Sequence, residues 1–230
     1  MLALVDGRIL TETGFADRRA VLIDGEHIVD VVAEDDPRLR DAVVHELGGA
    51  TLAPGFIDAQ VNGGGGVLFN DAPDTDAIRR IGAAHRMFGT TGFLPTLISD
   101  DIDVMRAAIA AVREAIAARV PGVLGIHLEG PFLAPTRKGV HDPAKFRVPN
   151  ADDIELVAGP GGDHVTLLTL APERVDAATV RALAAHGVIV AAGHTAATYE
   201  EARRALDAGV RGFTHLYNAM SPLTSREPGV

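Results

Sequence analysis

Five polar residues each follow a short apolar, β-branched stretch, at the point where a β-strand would end. Gln60 and Asn62 lie in GFIDAQVN, Glu129 follows GIHL, His194 follows VIVAAG and His215 follows GFT. In a β/α barrel the carboxyl ends of the strands meet at one face, so we expect these side chains to converge. One Glu and two His are a usual ligand set for a catalytic zinc ion that keeps a position open for water. The pattern predicts a metal site that activates water.

Each of these residues also has an ordinary explanation when it is taken alone. Glu129 could be a surface residue in a loop, and His194 and His215 could be core histidines bonded to the backbone. The metal hypothesis is favoured because all three residues end different strands. Imidazole and carboxylate ligands suit zinc or a similar divalent ion.

A further histidine, His141, lies in TRKGVHDP after Glu129. It could donate a hydrogen bond to a substrate carbonyl and stabilise an oxyanion, or it could be an exposed loop residue. A general base is not evident, since neither Asp58 nor Asp142 is well placed for that role.

Three cations are candidates for binding an anionic substrate. Arg137 and Lys138 are typical solvated loop residues. Arg226 follows His215 closely in the sequence and is expected to lie with it on the rim of the site. Arginine can bind an anion through two parallel hydrogen bonds. Arg226 is therefore the preferred anion-binding residue.

Two segments with different secondary-structure patterns must position these residues. Residues 1–52 contain short β patterns, and Asp6-Gly7 and Asp24-Gly25 within them predict hairpin turns, so this segment is expected to be a small β-sandwich-like domain. Residues 53–230 alternate strand, loop and helix. The strands of this second segment are predicted at 55–60, 92–97, 123–128, 165–170, 188–192 and 212–216.

Helix boundaries in the second segment are indicated by capping residues. Helices are expected to begin near Asp74, Asp100, Asn150, Asp176 and Thr198. Thr198 and Glu201 have the spacing of a capping box, Gly209 is expected to end that helix, and AGPGGDH (158–164) is expected to be a loop.

The fold class that follows is α/β, as a TIM-like (β/α)8 barrel with about six βα units present. A doubly wound sheet is the alternative, but it predicts a G-x-G-x-x-G loop that opens the first helix. The Gly63–Gly66 run lacks that spacing. Reactive residues that end several strands favour the barrel. A full barrel takes roughly 250 residues, so about two units are expected beyond Val230.

Composition limits the partners and the kind of site. The chain has no Cys, which excludes disulfides and thiolate metal ligands. A net charge of -10 argues against a nucleic-acid surface. Neither a signal peptide nor a membrane-spanning apolar run is evident, so a cytoplasmic location is expected.

Six motifs resemble the N-acetylglucosamine-6-phosphate deacetylases of the amidohydrolase superfamily. They are APGFIDAQVNGGGG, GTTGFLPTLISD, GIHLEGPFL, KGVHDP, AAGHT and GFTHLYNAMSPLTSREPG. Many amidohydrolases carry His-x-His after the first strand. Gln60 and Asn62 stand there instead, which is similar to the single-metal branch of the deacetylases and makes both residues possible neighbours of the metal.

The resemblance implies a reaction and a role for each site residue. The reaction is hydrolysis of the acetamido group of N-acetyl-D-glucosamine 6-phosphate to glucosamine 6-phosphate and acetate, with one divalent metal, zinc, or alternatively iron, manganese or cobalt. The implied metal ligands are Glu129, His194 and His215, the residue that contacts the acetyl carbonyl is His141, and the sugar and phosphate contacts are Asn218, Ala219 and Arg226.

The family pattern also contains parts that this sequence does not show. A further histidine and the catalytic Asp that ends strand eight are expected beyond Val230, so the chain resembles the first three-fifths of such an enzyme. We expect the 230 residues alone to be inactive. A homodimer is expected at full length. The alternatives are a catalytically incomplete fragment that binds metal or sugar phosphate, and another amidohydrolase, such as a cyclic-amide hydrolase.

Overall fold

The computed structural model describes residues 1–159 and 164–230 of the chain. The chain divides into two compact units, Met1–Gly55 and Phe56–Val230. Part of the loop predicted over 158–164 lies outside the described residues. In the part of the chain that is described, no helix is both long and apolar enough to cross a membrane.

The first unit is built on one five-stranded sheet. The strands are β1 (Leu2–Thr11), β2 (Gly14–Asp24), β3 (His27–Ala33), β4 (Val43–Glu46) and β5 (Thr51–Leu52). Strand order is β3-β2-β1-β4, with β5 also paired to β1. β2 pairs antiparallel with both β1 and β3, whereas β4 and β5 run parallel to β1. Ala3, Ala20, Leu22 and Val32 pack together and form a small core on this sheet.

One of the two hairpin turns predicted in this unit is wrong. Asp6 and Gly7 lie inside β1, where the pairing with β2 shifts register on both sides of Gly7. Asp6 has a φ of +55°, and a side chain at Gly7 would come within 2.5 Å of Leu47 Cδ1. The dipeptide therefore forms a bulge, which needs the same permissive residues as a turn. The prediction for Asp24-Gly25 is confirmed, since β2 ends at Asp24 and Gly25 has a φ of +57°.

The second unit is a curled, all-parallel half-barrel of six strands, as expected for an incomplete TIM-like barrel. The strands follow chain order, β6-β9-β10-β11-β12-β13, and a short hairpin of β7 and β8 follows β6. Their bounds are β6 (Phe56–Val61), β7 (Gly63–Gly64), β8 (Val67–Leu68), β9 (Thr90–Ile98), β10 (Gly125–Glu129), β11 (Val165–Leu170), β12 (Ile189–Ala192) and β13 (Val210–Phe213).

Four of the five predicted helices begin at the expected capping residues, whereas the helix expected to begin near Asp100 follows Asp101, which makes no side-chain cap hydrogen bond. Asp74, Asn150, Asp176 and Thr198 each accept a backbone N–H of the first turn, and Asn150 and Thr198 form full capping boxes. Gly209, with a φ of +126°, ends the last helix. The helices are α1 (Thr75–Arg86), α2 (Ile102–Ala117), α3 (Ala151–Ala158), α4 (Ala177–Ala185) and α5 (Tyr199–Ala208).

The central strand β10 shows how the sheet places polar side chains on one face and apolar side chains on the other. All of its residues are buried. Ile126 and Leu128 join the apolar core with residues of the helices, whereas His127 and Glu129 point to the opposite face because side chains alternate along a strand. Glu129 therefore stands at the carboxyl end of the strand, on the inner face of the half-barrel.

The last strand is shorter than the sequence predicted. It was expected over 212–216, but β13 ends at Phe213. His215 and Tyr217 have φ values of +38° and +74°. An extended strand cannot continue through these left-handed conformations, so His215 lies in the turn that follows the strand.

Candidate active site

Glu129 is the centre of the cluster at the carboxyl ends of the strands. Its Oε1 lies 3.1 Å from His194 Nε2 and 3.2 Å from His215 Nε2. Its Oε2 accepts a hydrogen bond of 2.9 Å from the Gln60 side-chain amide. The residue is only 3% exposed. Side chains from the ends of four strands therefore meet at one carboxylate.

The two histidines are held in the same orientation by backbone carbonyls. Nδ1 of His194 lies 2.8 Å from the carbonyl oxygen of Arg137, and Nδ1 of His215 lies 3.0 Å from that of Asn218. A carbonyl oxygen only accepts, so each Nδ1 carries the hydrogen and donates it. In the neutral rings, both Nε2 atoms then present lone pairs toward Glu129. This is the usual way in which proteins orient histidine ligands of a metal.

The separations within this cluster match those of metal ligands. The two Nε2 atoms are 3.0 Å apart, so the three pairwise distances among Glu129, His194 and His215 are 3.0, 3.1 and 3.2 Å. Tetrahedral ligands at zinc bond lengths of about 2.0–2.1 Å lie roughly 3.3 Å from each other. Three electron-rich atoms at this distance repel one another unless a positive charge lies among them. The residues present therefore fit a divalent metal ion.

A second grouping shares two of these residues. Ligand atoms of Glu129, His141 and His194 all lie within 4.8 Å of one another, and this buried group could also hold a metal. Its closest approach to the carboxylate from His141 is 3.9 Å, from Nε2 to Oε2. The set with His215 is the better candidate, because its three distances of 3.0–3.2 Å are all shorter than the 3.9 Å between His141 and Glu129.

The pKa values of the cluster agree with a positive charge beside Glu129. Burial alone would raise the pKa of Glu129, but the 3.1 Å contact with His194 Nε2 and the nearby His127, His141 and His194 lower it to about 2. Burial would lower the pKa of His194, yet its bonds to Glu129 and Arg137 raise it. The carboxylate is thus ionised and stabilises a cation next to it.

His141 lies beside this cluster and makes different contacts. It is 2% exposed, and its ring centroid lies 4.4 Å from that of His194. Its Nδ1 lies 2.8 Å from Ser99 Oγ and 3.2 Å from the Ser99 backbone nitrogen. Burial, followed by the nearby His194, lowers the pKa of His141 to about 4. The ring is therefore neutral at pH 7.

A cavity of about 570 Å³ opens at this cluster. It is large enough for a sugar-sized ligand. The predicted site residues that line it are Gln60, Asn62, Glu129, His141, His194, His215, Asn218 and Ala219.

A family comparison agrees with this geometry. Residues 51–228 match the model of the amidohydrolase family. The chain belongs to the amidohydrolase family. The matched region covers the whole of the second unit except Gly229 and Val230, and it contains every residue of the cluster.

Individual amidohydrolases similar to this chain are deacetylases of phosphorylated amino sugars. The N-acetylgalactosamine-6-phosphate deacetylase of Shewanella sp. (strain ANA-3) is 49% identical over 100% of this chain and 58% of its own length. The crystal structure of the N-acetylglucosamine-6-phosphate deacetylase from Pasteurella multocida has a TM-score of 0.93 and 34% identity, with 100% of this chain and 60% of that one covered.

A structure in complex with a sugar phosphate is also similar. A variant of the N-acetyl-D-glucosamine-6-phosphate deacetylase from Mycobacterium smegmatis, solved with N-acetyl-D-glucosamine 6-phosphate, has a TM-score of 0.89 and 35% identity. The similarity covers 99% of this chain and 58% of the Mycobacterium smegmatis chain. This amidohydrolase chain thus spans about three-fifths of the length of the relatives it matches, as the sequence motifs indicated.

The structure brings most, but not all, of the predicted site residues together. The carbonyl of Asn218 orients His215, and the carbonyl of Ala219 accepts the Thr195 N–H at 3.1 Å. Asn62 lines the cavity, and its carbonyl accepts the Phe69 N–H. Arg226 is exposed and is not among the residues that line the cavity, so the rim expected to be shared with His215 is not seen.

The loop that follows β10, residues 130–141, serves two site residues. Its Ala134 N–H donates to the His194 carbonyl at 2.9 Å, and its Arg137 carbonyl accepts from the His194 ring. The same loop ends at His141. A side chain at Gly139, where φ is +56°, would come within 3.1 Å of His194 Cε1. Arg137 thus contributes its backbone to the site.

Two sets of polar residues at the site were missed by the sequence reasoning. The first is Ser99, which directly follows β9 and contacts His141. Its signal was available, because Ser99 ends a strand in the same way as Glu129 does. The second is a polar row beneath the cluster, which consists of Thr96, His127, Thr169 and Thr214.

The polar row is a continuous set of buried hydrogen bonds across the sheet. Thr96 Oγ1 lies 3.3 Å from His127 Nδ1, His127 Nε2 lies 2.7 Å from Thr169 Oγ1, and Thr169 Oγ1 lies 2.6 Å from Thr214 Oγ1. All four residues are buried. A side chain at Gly193 would come within 2.6 Å of Thr169 Cγ2, so this glycine makes room for the row where it passes β12.

Proposed function

We propose that the full-length protein hydrolyses the acetamido group of N-acetyl-D-glucosamine 6-phosphate to glucosamine 6-phosphate and acetate. The observation that carries the proposal is the convergence of Glu129, His194 and His215 at hydrogen-bond distance, with both Nδ1 atoms held by backbone carbonyls. The named relatives, which are deacetylases of amino-sugar phosphates, support the choice of substrate.

We propose Glu129, His194 and His215 as ligands of one divalent metal ion, zinc in the first instance and iron, manganese or cobalt as alternatives. When bound, such an ion lowers the pKa of a water molecule and polarises a carbonyl oxygen. The backbone carbonyls of Arg137 and Asn218 keep both rings in the orientation that this binding requires. Gln60 restrains the second carboxylate oxygen of Glu129 through its side-chain amide.

His141 is proposed to act on the substrate itself. Its ring is neutral and borders the cavity, so it can donate a hydrogen bond to the acetyl carbonyl and stabilise the negative charge that forms when water adds. The carbon–nitrogen bond then breaks, and the amine leaves with a proton. The general base is the Asp that the family pattern places after this segment, since Asp58 and Asp142 accept hydrogen bonds from nearby backbone amides and do not line the cavity.

The sugar phosphate is proposed to contact three further residues. Asn218 and Ala219 line the cavity next to His215 and are placed to contact the sugar. Arg226 is exposed, as a ligand for a phosphate near the mouth or across a dimer interface would be. A homodimer and a cytoplasmic location remain predictions from the sequence.

A second candidate substrate is the galacto epimer, N-acetyl-D-galactosamine 6-phosphate. It is supported by the relative at 49% identity, which is named for that substrate. The metal cluster and His141 act on the acetamido group, which both epimers carry, so the two candidates share one mechanism. A catalytically incomplete protein that only binds metal or sugar phosphate is the alternative that an assay must exclude.

The test is acetate release by the purified full-length protein, loaded with zinc, from each phosphorylated epimer and from unphosphorylated N-acetylglucosamine. We expect turnover of at least one sugar phosphate and much weaker turnover of the free sugar. Glu129→Gln should reduce kcat/KM by more than roughly 10²-fold, because the amide lacks the ligand charge. Glu155→Gln, the same change at an exposed residue of α3, is the matched control and should leave activity unchanged. No acetate from either sugar phosphate would contradict the proposal.

A further inference from the structure

The feature that carries a further inference is the contact between Ser99 and His141. Ser99 lies directly after β9, whereas His141 lies at the end of the loop that follows β10. The two residues are 42 positions apart in the chain, and both are buried. Ser99 does not line the cavity, so any role it has in the reaction must act through its neighbour.

The hydrogen bonds of Ser99 determine which nitrogen of His141 carries hydrogen. The Ser99 backbone N–H points at His141 Nδ1 over 3.2 Å, and an amide N–H can only donate. Nδ1 is therefore an acceptor. The Ser99 hydroxyl lies 2.8 Å from the same atom and 3.4 Å from the carbonyl oxygen of Glu129, so its single hydrogen is donated to the nearer acceptor, Nδ1. The hydrogen of the His141 ring is consequently on Nε2.

The opposite edge of the His141 ring faces Glu129 and the cavity. His141 Nε2 lies 3.9 Å from Glu129 Oε2, and the residue lines the cavity beside the metal cluster. An Nε2–H group at this place is a donor, as a carbonyl oxygen of a substrate needs. In the other tautomer the same atom would present a lone pair and would repel that oxygen.

The space for the Ser99 hydroxyl is provided by a glycine. Gly130, directly after Glu129, has a φ of +93°, and a side chain there would come within 2.2 Å of Ser99 Oγ. The hydroxyl therefore occupies the volume that a side chain at position 130 would fill. This close fit fixes Ser99 between the ends of β9 and β10.

We propose that Ser99 is a positioning residue that holds His141 in its Nε2–H tautomer, so that Nε2–H is the donor to the substrate carbonyl. The proposal deepens the function proposed above and rests on it for the identity of the substrate. The state of the His141 ring is a property of the protein alone and can be tested without substrate.

The first measurement is nitrogen NMR of the metal-free, full-length protein labelled at histidine, with the His141 signals identified by their loss in His141→Gln. We expect the wild-type ring to show protonated Nε2 and unprotonated Nδ1. In Ser99→Ala, which keeps the backbone donor and loses the hydroxyl, we expect a measurable population with protonated Nδ1. Thr75→Val removes a hydroxyl on α1 that makes only a 3.5 Å contact, and it should leave the His141 signals unchanged.

The second measurement is activity. Ser99→Ala should lower kcat by roughly tenfold with little change in KM or in metal content, less than the loss of about 10²–10³-fold that follows removal of an oxyanion donor. Ser99→Thr, which keeps the hydroxyl, should recover most of kcat. A wild-type His141 with protonated Nδ1, or a Ser99→Ala protein with an unchanged ring, would overturn the proposal even if a variant folds poorly. A protein with the expected tautomer but no acetate release would instead refute the proposed function.

Discussion

The polar row beneath Glu129, His194 and His215 leads to a quantitative prediction for Thr169→Val. The Thr169 hydroxyl is fully buried and bonds to His127 Nε2 at 2.7 Å and to Thr214 Oγ1 at 2.6 Å. Valine has nearly the same shape but no hydroxyl, so both neighbours lose a partner. A buried polar group left without one costs about 1–3 kcal/mol. We therefore expect the free energy of unfolding to fall by roughly 2–4 kcal/mol, allowing for partial relaxation.

The assay is urea unfolding of the full-length protein followed by circular dichroism, with Thr166→Val as the matched control. Thr166 lies on the same strand, β11, and is only half-buried. Its substitution should change the free energy of unfolding by less than about 0.5 kcal/mol, since it lies outside the row. If both substitutions lower the free energy of unfolding by the same amount, the hydrogen bonds of the Thr169 hydroxyl do not stabilise the protein and the reasoning is refuted.

Four further predictions concern the site and the elements around it. His194→Ala should abolish retention of metal, as measured by elemental analysis of the dialysed protein, because one of the three proposed ligands is lost. Arg226→Ala should raise KM for the phosphorylated sugar far more than for the free sugar, and equal effects would remove its phosphate role. Asp153→Asn should lower the free energy of unfolding by about 3 kcal/mol, since the fully buried carboxylate bonds Arg147 at 2.8 Å and charge is then left uncompensated. Thr198→Ala should cost about 1 kcal/mol in the same unfolding assay through loss of the capping box of α5.

The convergence of Glu129, His194 and His215 was predictable because the parallel arrangement alone brings strand ends to one edge. The strand and helix rhythm of residues 53–230 established that arrangement, and capping residues such as Asp74 and Thr198 located the helices. These signals are local in sequence. Because they are local, the sequence alone is enough to reveal them.

Other features depended on contacts between distant segments and could not be predicted. The partner of His141 is 42 residues away, and periodicity cannot specify which side chains meet across such a distance. Asp6-Gly7 forms a bulge because the paired strand and Leu47 surround it, whereas its composition is that of a turn. β13 ends early because His215 adopts a left-handed backbone, which a β-propensity pattern does not reveal.

The loop of residues 130–141 gives the protein a property that neither end of the loop has alone. Its middle holds His194 through Ala134 and Arg137, and its end carries His141. An insertion or deletion between Arg137 and His141 would therefore alter the proposed metal site and the proposed substrate contact in the same variant. Attempts to change substrate preference through this loop should vary side chains such as the exposed Lys138 and Val140, and should keep its length and backbone path unchanged.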